Sequence, residues 1–298
     1  MMFKPADFSP EIQPRRRALP PIRSERHPAS RAPRIFADSA DIRDIEPLYR
    51  AGIINGVTTN PTLLKKAGAT SWPQAKAMLT DILQLLAPNP VSLELTQLAY
   101  DAMLDQAQEL AALGDNAVIK VPVGGYRAAD PNADPFTGLK VIRTLWERGI
   151  HTNATLVFNT TQAFWAANAG ASCVSPFLGR LADYLAKHDD ALGVPGNALY
   201  QATDPVRHHN TEYVACGGPR HDAGSRLVHE IVTVFAHYDI RSEVLAASIR
   251  NPAQLSEMLL AGADILTVPA AILAGVADHP LTDLGMQAFC ADAGAFGG

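Results

Sequence analysis

From residue 34 onward the chain alternates between two hydrophobic periods. Short apolar runs of strand length occupy 34–38 (RIFAD), 56–60 (GVTTN), 91–96 (VSLELT), 117–123 (AVIKVPV), 152–158 (TNATLVF), 172–177 (SCVSPF), 242–249 (SEVLAASI) and 264–269 (DILTVP). Between them lie stretches such as 71–86, 100–113, 138–149 and 251–262, whose apolar residues recur every three or four positions as on an amphipathic helix. Several of these stop on a glycine just past the last apolar residue, the usual helix terminator. Strand–helix alternation predicts a parallel sheet, and eight such units are the count of a TIM (β/α)8 barrel. A doubly wound open sheet has the same local pattern, so counting favours the barrel without excluding it.

The strand period then sorts residues by face. Ser92, Glu94 and Thr96 share one face of their run, with Leu93 and Leu95 on the other. Asn153, Thr155 and Val157 likewise share a face, and Ser248 falls with Ala246 and Val244. The outer face of a barrel meets helices and is apolar, so the polar set points inward. Asp38, Asn60, Glu94, Lys120, Asn153, Thr155, Ser175 and Ser248 all fall midway or late on their strands, toward the end where active sites of this fold sit. Lys120 stands out among Val118, Ile119, Val121 and Val123, because a lysine is almost never fully buried unless paired. Two readings fit it: a structural ion pair with Glu94 across the barrel, or a nucleophile.

Composition narrows the classes. At 298 residues and 47% hydrophobic the chain can bury a large core. The net charge of −5 gives no basic footprint for nucleic acid, and no apolar run reaches the length of a membrane span. Residues 1–33 differ: seven prolines and a charge of +4, leaving −9 for the rest, with no hydrophobic period. We read them as a disordered Pro/Arg-rich tail ahead of a single barrel over 34–298. The tail lacks the apolar stretch of a secretory signal, and its acids and prolines count against a transit peptide. Cys173, Cys216 and Cys290 are few and far apart, which suits a reducing, cytoplasmic setting. His208, His209, Cys216 and His221 match no standard metal-ligand spacing, so no metal is expected.

The residues resemble a known family. IFADSADIRDIEPLYRAGIINGVTTNPTLLKKAG, VSLELT, NAVIKVP, GLKVIRTLWERGIHTNATLVFN, ASCVSPFLGR, EVLAASIRNPAQLSEMLLAGADILTVP and HPLTDLGMQAF follow in order the pattern of the transaldolase and fructose-6-phosphate aldolase family of class I aldolases. The resemblance implies a (β/α)8 barrel with the Schiff-base lysine on the fourth strand, here Lys120. It implies Asp38 as acid–base group, Glu94 and Thr155 as holders of a catalytic water, and Asn60, Asn153 and Ser175 as positioners of the dihydroxyacetone unit. Arg180, Ser248 and Arg250 match its phosphate-binding set. Phe177, Glu94 and Arg250 look more like the transaldolase branch. The aldolase branch more often has tyrosine and glutamine at the first two places.

The chemistry explains why such residues are needed. Breaking a ketose C–C bond needs an electron sink, and a lysine iminium at C2 supplies one without cofactor or metal. The amine must be neutral to attack, against a free-lysine pKa near ~10.4; burial penalises the charged form. Cleavage also needs a base for the C4 hydroxyl, which suits Asp38, and a water for the carbinolamine steps, which suits Glu94 with Thr155. Asn60 has an alternative role as an Asn-Pro turn residue. An arginine pair suits a terminal phosphate through bidentate bonds. The expected activity is transfer of a dihydroxyacetone unit from a ketose phosphate to an aldose phosphate. Cleavage that releases dihydroxyacetone, or sugar-phosphate binding without turnover, are the alternatives. Housekeeping work in the pentose phosphate pathway and a specialised biosynthetic role fit equally, and a homo-oligomer is compatible with both.

Two stretches depart from the family: an insertion at about 124–136 after the Lys120 strand, and a larger one at about 187–224. Both follow strands and so fall on the catalytic face. They are read either as a lid or wall that alters the acceptor sugar, or as a surface or oligomer-contact elaboration.

Overall fold

The computed structural model describes residues 33–187, 223–294 and 296. The tail and nearly all of the larger insertion, including the four candidate metal ligands there, lie outside the described residues; that insertion begins at the end of a helix, Leu178–Lys187, and not directly after a strand as expected. Eight parallel strands close into a barrel in chain order: β1 (Arg34–Asp38), β2 (Val57–Thr58), β3 (Val91–Glu94), β4 (Ala117–Pro122), β5 (Thr152–Val157), β6 (Cys173–Pro176), β7 (Glu243–Ala246) and β8 (Ile265–Val268). Closure through the β1–β8 pairing removes the open-sheet alternative.

Helices fill the outside. Among the described residues these are α1 (Ile42–Arg50), α2 (Pro61–Lys66), α3 (Trp72–Leu86), α4 (Tyr100–Ala111), α5 (Thr137–Glu147), α6 (Thr160–Ala169), α7 (Leu178–Lys187), α8 (Ala223–His237), α9 (Pro252–Ala261), α10 (Ala270–Ala277) and α11 (Pro280–Gly294). The main core lies between strands and helices, where Ala37, Val57, Leu93, Ile119, Val121, Val174 and Leu266 meet helix residues such as Leu79, Leu110 and Ile142. A second, smaller cluster of Phe36, Cys173, Leu245, Ala247 and Ile265 plugs the barrel interior. At the same end Arg34 is ion-paired with Glu243 and lies over the Phe36 ring.

Most strands stop one to three residues earlier than their apolar runs suggest, because the next residues turn to start helices. Asn60, Asn159 and Asn251 each leave the sheet to cap a helix, accepting from the amides of Leu63, Gln162 and Gln254. Such a cap satisfies a donor that has no partner within the helix. Thr96, expected on the inner face, lies beyond the end of β3, where Gln106 of α4 donates to its hydroxyl and accepts from its amide.

Two facing assignments need correction. Between Ala154 and Val157 the register with β6 slips, with Leu156 at φ 58°. The extra residue turns Val157 out into the helix-facing core, away from the face of Asn153 and Thr155, as a bulge does. On β7, Val244 and Ala246 also belong to the outer core, so Ser248 does not share an inner face with them. Its φ of 68° reorients it after the strand has ended. A left-handed non-glycine residue costs roughly 1 kcal/mol or more, and both cases sit at the strands' C-terminal rim.

Candidate active site

Register alone gathers the centre of the site. Glu94 pairs with Lys120 and Lys120 with Asn153 across β3, β4 and β5, so three polar inner positions arrive side by side at one level of the barrel. Lys120 is 3% exposed. Its Nζ lies 3.0 Å from Glu94 Oε2 and donates to the Thr59 carbonyl at 3.4 Å. The Phe177 ring centroid stands 5.5 Å from the same nitrogen, within cation–π range.

The amide of Asn153 is held from both ends. Its Oδ1 accepts from Ser175 Oγ at 2.6 Å and its Nδ2 donates to Ser92 Oγ at 3.2 Å. Two residues along β5, Thr155 is fully buried and its hydroxyl has no hydrogen-bond partner among the described residues. An unpaired buried hydroxyl costs free energy, and it marks a position from which a water or substrate oxygen could be held. The bulge follows at once and ends the regular alternation there.

Asp38 closes the other side. Thr58, its register partner on β2, donates to Asp38 Oδ1 at 2.8 Å, and the next residue, Thr59, supplies the carbonyl that Lys120 meets. Asp38 is therefore linked to Lys120 through β2 rather than by direct contact. It does not serve as the cap of α1, because Asp41 does that. Asn60 Oδ1 is engaged by its capping bond to Leu63, the alternative role noted from its Asn-Pro sequence.

The third region lies where β6 and β7 end. Phe177 packs edge-on against Phe158, and the Arg180 guanidinium lies 5.2 Å from its ring centroid. Arg250, about half exposed, reaches Asp183 Oδ2 through Nε and Nη2, each at 3.3 Å. The sequence SPFLGR needs its glycine: a Cβ on Gly179 would sit 2.0 Å from the Ser248 carbonyl oxygen and 2.8 Å from Arg250 Cγ. The Arg250 stem thus crosses the start of α7, and Ser248, Gly179, Arg180 and Arg250 form one cluster.

The loop 124–136 is tied mainly to itself. Arg127 donates to the Pro131 carbonyl, and Asp134 pairs with Lys140 and accepts from the Phe136 amide. Lys140, and then that amide, hold the Asp134 carboxyl below the usual carboxylate range. Phe136 meets Trp165 of α6 edge-on. Burial pushes the Cys173 thiol well up, with Glu243 adding to it. Ser92, Thr58, Thr59, Thr267 and Asp183 had no assigned role in the sequence reading; only the inner-face period of Ser92 signalled it. Among the described residues no helix is long and apolar enough to cross a membrane.

Comparison with known proteins identifies the family. The family model described as Transaldolase/Fructose-6-phosphate aldolase matches residues 35–295. A protein of Maridesulfovibrio salexigens named "Probable transaldolase" is 36% identical over 257 residues, covering 86% of this chain and 96% of that protein. Proteins of the same name from Aquifex aeolicus and Thermoplasma volcanium are 37% and 35% identical over 259 residues, each covering 87% of this chain and 95% and 94% of theirs. A family match across nearly all of the barrel, with relatives above 30% identity over most of the chain, makes this protein a member of the transaldolase/fructose-6-phosphate aldolase family.

Proposed function

We propose that the protein is a transaldolase that moves a three-carbon dihydroxyacetone unit from a ketose phosphate to an aldose phosphate through an imine on Lys120. The observation that carries this reading is the Lys120 amine, buried beside Glu94 at 3.0 Å in the barrel interior. Glu94 is within reach to accept the ammonium proton before the amine attacks C2. A water held between Glu94 and the free Thr155 hydroxyl then serves the loss of the carbinolamine oxygen. Asp38 takes the C4 hydroxyl proton as the C3–C4 bond breaks and its electrons pass into the iminium. The product aldose phosphate leaves, and the enamine adds to the acceptor aldehyde in the reverse sequence.

Asn153, fixed between Ser175 and Ser92, orients the donor hydroxyls together with Asn60. Phe177 walls the amine on one side. Arg180, Ser248 and Arg250 receive the phosphate, Arg250 leaving its exposed pairing with Asp183, a bond worth well under 1 kcal/mol. No metal or cofactor enters this scheme. We place the enzyme in the cytoplasm, in line with the exposed thiol of Cys290. We read the chain as a barrel over 34–298 with two elaborated loops, and as a homo-oligomer. The α11 helix buries none of its residues while Leu281, Leu284, Met286 and Phe289 are at least 59% exposed, a face that a second copy would cover.

The Lys120–Glu94 pair also supports a second reading, a structural ion pair in a sugar-phosphate-binding barrel. Borohydride reduction in the presence of fructose 6-phosphate, followed by peptide mass mapping, separates the two. A three-carbon adduct on Lys120 supports the transaldolase, and product formed without acceptor points to simple aldol cleavage. Ligand binding with no adduct returns the lysine to a structural role.

A further inference from the structure

Beneath Asp38 the barrel holds a chain of hydroxyls that the scheme above does not use. Thr58 of β2 and Thr267 of β8 flank β1 from opposite sides, and their Oγ1 atoms are hydrogen-bonded to each other in the interior. Both are buried, at 1% and 3% exposure. In register Asp38 pairs with Thr58, and Phe36 pairs with Thr267, so the hydroxyl pair lies between the Phe36 ring below and the Asp38 carboxylate above. Gly56, where a Cβ would stand 2.6 Å from the Phe36 ring, leaves room for that ring under the pair.

The direction of these bonds follows from counting protons. An ionised carboxylate only accepts, and a hydroxyl has a single proton to give. Thr58 spends its proton on Asp38 Oδ1. The Thr58–Thr267 bond is therefore donated by Thr267. A threonine pair that merely satisfied itself would have no fixed direction; here the carboxylate sets it. Receiving the Thr267 proton makes the Thr58 hydroxyl a stronger donor. It also fixes the Thr58 rotamer, leaving Asp38 Oδ2 as the oxygen turned to other partners.

We propose that Thr267 is a positioning residue, acting through Thr58, that holds the Asp38 carboxylate in its working orientation. The inference deepens the transaldolase reading and rests on it for its kinetic part. The variants are Thr267→Val, which keeps the shape and removes the donor, and Thr267→Ser, which restores the donor. The Asp38 carboxyl carbon resonance, assigned by its loss in Asp38→Asn, gives a readout independent of turnover. It is expected to move in Thr267→Val and to return in Thr267→Ser; an unmoved resonance overturns the linkage.

In the transfer assay, Thr267→Val is expected to lower kcat about tenfold, the worth of one aligned hydrogen bond, with KM within twofold and with undiminished borohydride adduct on Lys120. Thr267→Ser is expected to recover kcat, and Thr267→Val added to Asp38→Asn to cost nothing further. A wild-type kcat in Thr267→Val, no rescue by serine, or an equal loss in the Asp38→Asn background overturns the positioning role. A wild-type protein with no turnover and no adduct sinks the transaldolase reading instead, and the carbon resonance still decides whether Thr267 reaches Asp38.

Discussion

Replacing Gly179 by alanine sets two effects of known size against each other. In an ordinary helix the change stabilises by about 0.8–1 kcal/mol, because alanine loses less backbone freedom than glycine. At this position the new Cβ would stand 2.0 Å from the Ser248 carbonyl oxygen. Carbon and oxygen in van der Waals contact stay beyond about 3 Å, so the start of α7 and the end of β7 must separate by roughly 1 Å. The oxygen belongs to the backbone and the Cβ position is fixed by it, so no side-chain rotation relieves the contact. Overpacking of this kind costs about 1–3 kcal/mol, so the net effect is destabilising by up to about 2 kcal/mol, a fall of several degrees in Tm.

The larger consequence is functional. The displaced atoms carry Ser248 and Arg250, and a misplacement of about 1 Å costs on the order of 100-fold in rate. We expect Gly179→Ala to lower kcat/KM for fructose 6-phosphate by about that factor, mostly through KM. The dihydroxyacetone adduct formed on Lys120 under borohydride should be unchanged, since dihydroxyacetone has no phosphate to place. Thermal unfolding and steady-state kinetics on the same preparation decide it. A raised Tm with wild-type kcat/KM would mean that helix propensity prevails and the α7–β7 approach is slack, and the placement of a phosphate there would go with it.

Four further outcomes follow from the same geometry. Lys120→Met should remain folded, give no borohydride adduct and show no transfer; residual adduct at another lysine would displace Lys120 from the mechanism. Thr155→Val removes a buried hydroxyl that has no partner, so Tm should hold or rise while kcat falls about 100-fold; a large loss of stability would show the hydroxyl to be structural. Native alkylation at neutral pH should modify exposed Cys290 and spare Cys173, whose thiol burial holds in the protonated form; modification of both at similar rates would contradict the sealed barrel interior. Leu284→Glu with Phe289→Glu should reduce the molar mass measured by light scattering without lowering the helical signal; an unchanged mass would remove α11 from the contact between copies.

Much of the barrel was legible because two simple periods carry it. A strand with helices on one side and a filled interior on the other writes its two faces into alternate residues, and Ser92–Glu94 and Val118–Lys120 obey this without exception. Counting eight such strands favoured the barrel, but closure came from the β1–β8 pairing, and the level at which Glu94, Lys120 and Asn153 meet came from the register of β3, β4 and β5. What the period could not convey was where it stops. Asn60, Asn159 and Asn251 look like strand ends or loop residues until their side-chain oxygens are seen capping helices, which takes Asn60 out of the 56–60 run.

The misread faces share one cause, and it bears on how the site is built. Val157 and Ser248 were assigned by carrying alternation past the point where a left-handed residue interrupts it, at Leu156 in one case and at Ser248 itself in the other. Nothing in a leucine or a serine announces φ > 0, since the residue types that favour it are glycine and asparagine. The surroundings enforce it instead. The β5–β6 register slips by one residue at Leu156, and the Ser248 carbonyl rests against the bare Cα of Gly179. Each interruption comes just after a residue proposed to handle substrate or brings one into place: Thr155 before the bulge, Ser248 and Arg250 around the turn. Regular strands deliver side chains to fixed levels of a barrel, and one residue of left-handed backbone at the rim redirects those that follow. The glycine that permits the second of these turns is the residue whose substitution tests it.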